Sequence, residues 1–204
     1  MAPSLTLALF LNWLHKQAWR AIPLAAANSF TAGPVFVAPR ITWSSTTSRS
    51  VIGWTGGYGL SGNGFWEGNP PYYGLNDFSG TMTWAFDSPV SGAGGFINYA
   101  PLAGFDFGPT VIRVLDSSLA VLESYVLSIS TPGGFNAGAF LAIDRSGDDI
   151  SYFQLLNAYV VLRDFTVESD PSNGDPSNSV PEPMTLSLLG AGLAGICLAR
   201  RRRA

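Results

Sequence analysis

The chain has 204 residues, enough for one medium-sized domain with a buried core plus targeting segments, and cramped for two. Charged residues are only 12% and aromatics 13%, with 23 glycines and 14 prolines, which excludes a disordered chain and a helical bundle. The net charge of −3 is unevenly spread: without Arg200, Arg201, Arg202 and Arg203, seven basic residues face fourteen acidic ones, a charge of −7 that argues against nucleic acid as a partner.

Residues 1–27 read as an atypical signal segment. Leu5 to Leu14 (LTLALFLNWL) has the apolarity of a signal-peptide core, and Ala25, Ala26 and Ala27 are small residues of the kind a signal peptidase accepts. No Lys or Arg precedes the run, while Lys16 and Arg20 follow it, against the usual orientation. A mis-set start or an ordinary amphipathic helix is the alternative. The single histidine, His15, falls in this segment, and the single cysteine, Cys197, falls in the tail. The body between them therefore cannot hold a Ser-His-Asp triad, a Cys-His pair, a histidine-ligated metal or a thiolate cluster. No intramolecular disulfide can form. Carboxylate, hydroxyl, amine and hard-cation chemistry remain.

Residues 28–168 read as the domain. Its most unusual stretch is WTGGYGLSGNGFWEGNPPYYG, in which Trp54, Tyr58, Phe65, Trp66, Tyr72 and Tyr73 stand among glycines. Exposed rings there would stack on the apolar faces of sugars, while Asn63, Glu67 and Asn69 bond hydroxyls. The plainer alternative packs the rings over one end of the domain and lets the glycines close a long loop. Those glycines do not make a phosphate-binding loop, since no lysine is near and no helix follows.

Seven strands are predicted next, over 81–86, 95–100, 110–116, 119–129, 138–143, 150–156 and 158–167, each rich in β-branched and aromatic residues and bounded by turn residues. Asp116-Ser117-Ser118 predicts a hairpin, and Thr131-Pro132-Gly133-Gly134 a loop. Strict alternation in the last strand places Tyr159, Val161, Arg163, Phe165 and Val167 on one face and Val160, Leu162, Asp164 and Thr166 on the other. The expected fold is all-β, an antiparallel β-sandwich of jelly-roll type, followed by a disordered linker and a short C-terminal transmembrane helix.

Asp144, Asp148 and Asp149 in IDRSGDDIS offer hard oxygens to Ca²⁺, but their spacing is not that of an EF-hand, and a polar hairpin held by Asx turns is the plainer reading. No other metal or cofactor is expected. A glycosidase needs two carboxylates at a defined separation. Glu67, Asp87, Asp106 and Glu123 are available, yet nothing in the sequence brings two of them together. No catalytic residue is assigned and the chain is expected not to be an enzyme, with a carboxylate-based glycoside hydrolase kept as the more remote alternative.

Residues 169–180 (SDPSNGDPSNSV) repeat Asp-Pro-Ser-Asn and offer almost nothing to bury, as a solvated linker does. Met184 to Ala199 is an uncharged run of sixteen residues, about 24 Å as a helix against a hydrocarbon core of about 30 Å. It is marginal as a permanent span; the arginines fix its end on the cytoplasmic side. Pro181 and Pro183 exclude helix at Val180 and Glu182, so an extended segment would be offered at the membrane face.

Val180-Pro181-Glu182-Pro183, the following leucines and glycines, and Arg200 to Arg203 together resemble the PEP-CTERM sorting signal of Gram-negative bacteria that make exopolysaccharide. The resemblance covers 181–204, with the helix over 184–199. It implies recognition by an exosortase, transient residence in the inner membrane, and delivery to the cell surface or extracellular matrix. GGFINYAP, VLDSSLAVLES, NAGAFLAI and ISYFQLLNAYVVLRDFTV also resemble the later strands of β-sandwich domains that such proteins carry. In many of those the last strand ends in an Asp-Asp pair; here Arg163-Asp164 stands instead, which weakens any inference of metal binding or catalysis there. The function expected is a surface or matrix protein associated with exopolysaccharide, its body binding carbohydrate, or else a passive matrix component with no ligand.

Overall fold

The computed structural model describes residues 19–27, 29–55, 66–99, 109–127, 131, 138–157 and 159–168. All belong to the first of two units into which the chain divides, Met1–Asp170 and Pro171–Ala204. The predicted linker, the helix over 184–199, Val180 to Pro183, Arg200 to Arg203, Tyr58, Asn63, Phe65, Asp106 and the loop after Thr131 lie outside the described residues. Among the described residues no helix is long and apolar enough to cross a membrane.

The expected sandwich is present. Its strands are β1 (Trp19–Ala21), β2 (Ser29–Phe30), β3 (Val35–Ala38), β4 (Ile41–Ser45), β5 (Val51–Trp54), β6 (Tyr72–Gly74), β7 (Thr81–Val90), β8 (Gly92–Asn98), β9 (Val111–Leu115), β10 (Val121–Val126), β11 (Ala139–Asp144), β12 (Ile150–Leu156) and β13 (Val161–Glu168). One sheet runs β11-β8-β13-β6-β5-β2, with β1 also on β13; the other runs β10-β9-β12-β7-β4-β3. Adjacent strands pair antiparallel throughout, for example Phe153 opposite Trp84 and Trp84 opposite Trp43.

Period-two alternation fills the space between the sheets. Along β7, Met82, Trp84 and Phe86 face inward while Thr81, Thr83 and Ala85 are half-buried. Trp84 stacks on Phe165 of the opposite sheet at 4.9 Å and meets Tyr73 edge-on at 5.1 Å. Such aromatic contacts across the layers fix the two sheets against each other.

The β9–β10 hairpin closes as its turn chemistry predicts. Oδ1 of Asp116 accepts hydrogen bonds from the Ser118 N–H (2.8 Å), the Ser118 hydroxyl (2.7 Å) and the Ala120 N–H (2.9 Å). These bonds, that from the Ser118 side chain foremost, hold the Asp116 carboxyl below its ordinary pKa.

The last strand departs from strict alternation. Its register against β8 shifts between Arg163 and Thr166, and Asp164 sits at φ 48°. This bulge puts Leu162 and Phe165, three residues apart, on the same inward side. Val161 and Arg163 remain outside, so the predicted face shared by Arg163 and Phe165 does not exist.

Residues before 28 also pack on the sandwich. β1 pairs with the end of β13, Trp19 opposite Glu168, and Ile22 is buried in the core with its N–H bonded to the Phe165 carbonyl at 2.7 Å. The chain then crosses β5 at Gly53, where a Cβ would lie 2.4 Å from the Ala25 carbonyl oxygen. Residues 19–27 thus form a strap that glycine alone lets lie so close.

Candidate functional site

Of the predicted sugar-stacking rings, Trp54, Trp66, Tyr72 and Tyr73 lie among the described residues. Trp66, Tyr72 and Tyr73 are fully buried, and Tyr73 belongs to the core between the sheets. Burial pushes both phenols well above the ordinary tyrosine pKa. None of the three can stack on a ligand at the surface; this corrects the expectation of exposed rings. Glu67 and Asn69 are exposed on the turn after Trp66, and Trp54 is half-buried.

Trp66, Tyr72, Val51 and Val161 form a second, smaller cluster, packed by Trp54, Phe96 and Tyr159. Val161 alternates with Leu162 of the main core, so this cluster covers the outer side of the seven-stranded sheet. The Arg163 guanidinium lies over Trp66 and over Phe96, 5.1 and 4.5 Å from the ring centroids, and pairs with Asp164. Gly138 admits the Trp66 ring, since a Cβ there would lie 2.5 Å from Cζ3. Among the described residues, Trp66, Tyr72 and Tyr73 of the aromatic stretch thus serve packing.

At Trp54 the stretch meets Phe30 and, beside it, a groove. Phe30, 46% exposed on edge strand β2, leans on Trp54 with ring centroids 4.9 Å apart. On one side of Phe30 lies a groove of about 320 Å³ lined by Phe30, Ser48, Arg49 and Asn76. Asn76 is only 6% exposed, yet no hydrogen bond among the described residues engages its side-chain amide, which is left to the groove. Arg49 is 59% exposed and reaches Oδ1 of Asp77 only at 4.0 Å. Asp77 is held by closer partners: the Thr47 hydroxyl donates to Oδ2 and the Phe78 N–H to Oδ1, both at 2.8 Å. The Thr47 bond is the main cause of a pKa below the ordinary carboxylate value.

On its other side Phe30 lines a more apolar groove of about 520 Å³, with Leu24, Val35, Phe36, Val37 and Ile52. It lies where edge strands β2 and β3 of the two sheets come together. Phe30, Arg49 and Asn76 are far apart in sequence and belong to no motif, so no sequence signal draws attention to them.

Two of the acidic candidates converge on one arginine. Asp149 binds Arg145 with both oxygens at 2.7 Å, and Glu123 accepts from Nη1 of Arg145 at 2.5 Å and from the Tyr125 hydroxyl at 2.6 Å. Among the described residues no group of three or more His, Cys, Asp or Glu side chains is placed to hold a metal ion, so Asp144, Asp148 and Asp149 do not gather into the calcium site considered from sequence. Asp87 lies on β7, away from Glu67 in sequence and sheet, and Glu123 is engaged by Arg145.

Comparison with known families accounts for the other end of the chain, where the PEP-CTERM protein-sorting motif matches residues 179–203. The chain carries a PEP-CTERM sorting motif. Val180 to Pro183 and Arg200 to Arg203 all fall within it. No curated protein matches the chain in sequence. Among solved structures, a mutant of the lectin binding domain of lectinolysin complexed with Lewis b is 11% identical, with TM-score 0.38, covering 72% of this chain and 99% of that one. A Streptococcus pneumoniae fucose binding module is 9% identical, with TM-score 0.39, covering 71% and 96%. A second such module is 14% identical, with TM-score 0.36, covering 59% and 93%. The likeness is distant in sequence and in superposition, and the sorting motif is a separate matter from it.

Proposed function

We propose that this protein is exported, processed by an exosortase at its PEP-CTERM motif, and delivered to the cell surface or extracellular matrix, where its sandwich binds exopolysaccharide. The motif supports the sorting half of this reading. The groove at Phe30 supports the binding half: an exposed ring backed by Trp54 offers an apolar platform for a sugar face, and Asn76 and Ser48 offer hydroxyl partners beside it. The acidic body adds no general attraction for a polyanion, so retention would rest on this local contact.

Two measurements test the two halves separately. Intact mass and fractionation, with and without the sorting protease, should show loss of residues 200–203 from surface material only when the protease is present; arginines retained there would overturn the sorting claim. Affinity electrophoresis in cell-free exopolysaccharide should show retardation that Phe30→Ala abolishes with the fold intact. Unretarded migration of the native chain would favour a passive matrix component.

A further inference from the structure

We infer that the sugar seated on Phe30 is an acidic one, its carboxylate held by Arg49. This rests on the glycan reading and narrows it. Arg49 is the one cation lining the groove among its described residues. Only Nη1 approaches Asp77, and at 4.0 Å, while both Asp77 oxygens already accept shorter hydrogen bonds from Thr47 and Phe78. The rest of the planar guanidinium fork is open to a second carboxylate, the group whose two oxygens match it.

Phe30 and Arg49 line one wall system, so a pyranose whose face lies on the ring can turn an equatorial carboxylate to the fork while its hydroxyls meet the Asn76 amide. Asn76, 6% exposed, supplies both a donor and an acceptor from the floor. The net charge of the body also matters for how acid preference is read. With seven basic against fourteen acidic residues outside the terminal arginines, bulk electrostatics repels a polyanion. A preference for an acidic glycan must then come from a local contact.

The test uses the full chain, with polygalacturonate, its carboxyl-reduced counterpart and neutral dextran as probes. Polygalacturonate should bind at least about tenfold more tightly than the reduced polymer, the scale of one charge-assisted hydrogen-bonded pair. Arg49→Gln should remove that margin, bringing the acidic polymer to the level of the reduced one measured on the same variant, and Arg49→Lys should restore only part, since a point charge lacks the fork. Equal binding of the acidic and reduced polymers, both lost in Phe30→Ala, would overturn the acidic inference and leave the glycan reading standing. Binding of none of the probes, nor of the cell-free exopolysaccharide, would remove both. Circular dichroism of each variant separates lost contact from lost fold, and both substituted side chains are exposed enough to change without emptying the core.

Discussion

The guanidinium of Arg163 lies 5.1 Å from the centre of the Trp66 ring, on the outer side of a sheet whose inner side is the main core. With Phe96 at 4.5 Å as a second ring and a side chain only 16% exposed, the arginine is a lid on an aromatic cluster. Arg163→Ala should lower unfolding free energy by about 1 to 2 kcal/mol, and Arg163→Lys should recover part of it. Urea denaturation checks this; an unchanged midpoint for Arg163→Ala would show that the stacking contributes nothing.

Gly138 gives a sharper prediction at the same ring. Its φ of +72° and a Cβ-to-Trp66 distance of 2.5 Å both oppose a side chain. Gly138→Ala should cost about 2 to 3 kcal/mol, and Trp66→Leu in the same chain should relieve the steric part of that cost. A double-mutant cycle by thermal unfolding measures the coupling, and additive losses would deny the contact.

The strap of residues 19–27 should be indispensable. Removing residues 1–18 leaves β1 and Ile22 in place, whereas removing 1–27 strips one neighbour from β13 and a buried isoleucine from the core. The longer deletion should lose at least about 2 kcal/mol relative to the shorter. Equal stability of the two forms would mean that the strap merely rests on the sheet, and that processing near Ala27 would do no harm.

Arg145 ties β10 to the β11–β12 turn through Glu123 and Asp149. Arg145→Ala should cost about 1 to 2 kcal/mol, because it leaves two half-buried carboxylates without their shared partner. The double variant Arg145→Ala with Glu123→Gln should lose less than the sum of the single losses, measured by denaturant unfolding, since the charge being stranded is gone.

Acid stability should follow Asp116 and Asp77, both held below the ordinary carboxylate pKa by hydrogen bonds to the ionised form. A depressed folded-state pKa contributes stability that is present above the unfolded value and lost as pH falls through the folded one. Replacing either residue with Asn should flatten the fall in stability below pH about 4. Parallel pH profiles for native and variant chains would contradict the assignment.

Much of the second half of the fold was legible because β-branched and aromatic runs alternate with Gly and Asp turns: the strand at 150–156 and the Asp116 hairpin are where the pattern places them. What was not legible has physical causes. The bulge at Asp164 changes which face Phe165 occupies, and a left-handed aspartate leaves no period in the sequence. β1 was hidden inside a segment that also reads as a signal, since three residues are too few to show alternation. Trp66 and Tyr72 look the same in sequence whether they meet sugar or a second layer of side chains. The groove escaped notice because Phe30, Arg49 and Asn76 come from separate loops and strands that only the folded sheet edge assembles.

β13 is the strand from which the chain continues toward its sorting motif, and at its Glu168 end it is bonded on both flanks, to Gly92 of β8 and to Trp19 of β1. A pull directed along the axis of β13 would load two antiparallel ladders at once. Without the strap that end of the strand would be held by β8 alone, so residues 19–21 would double the number of ladders such a pull has to break.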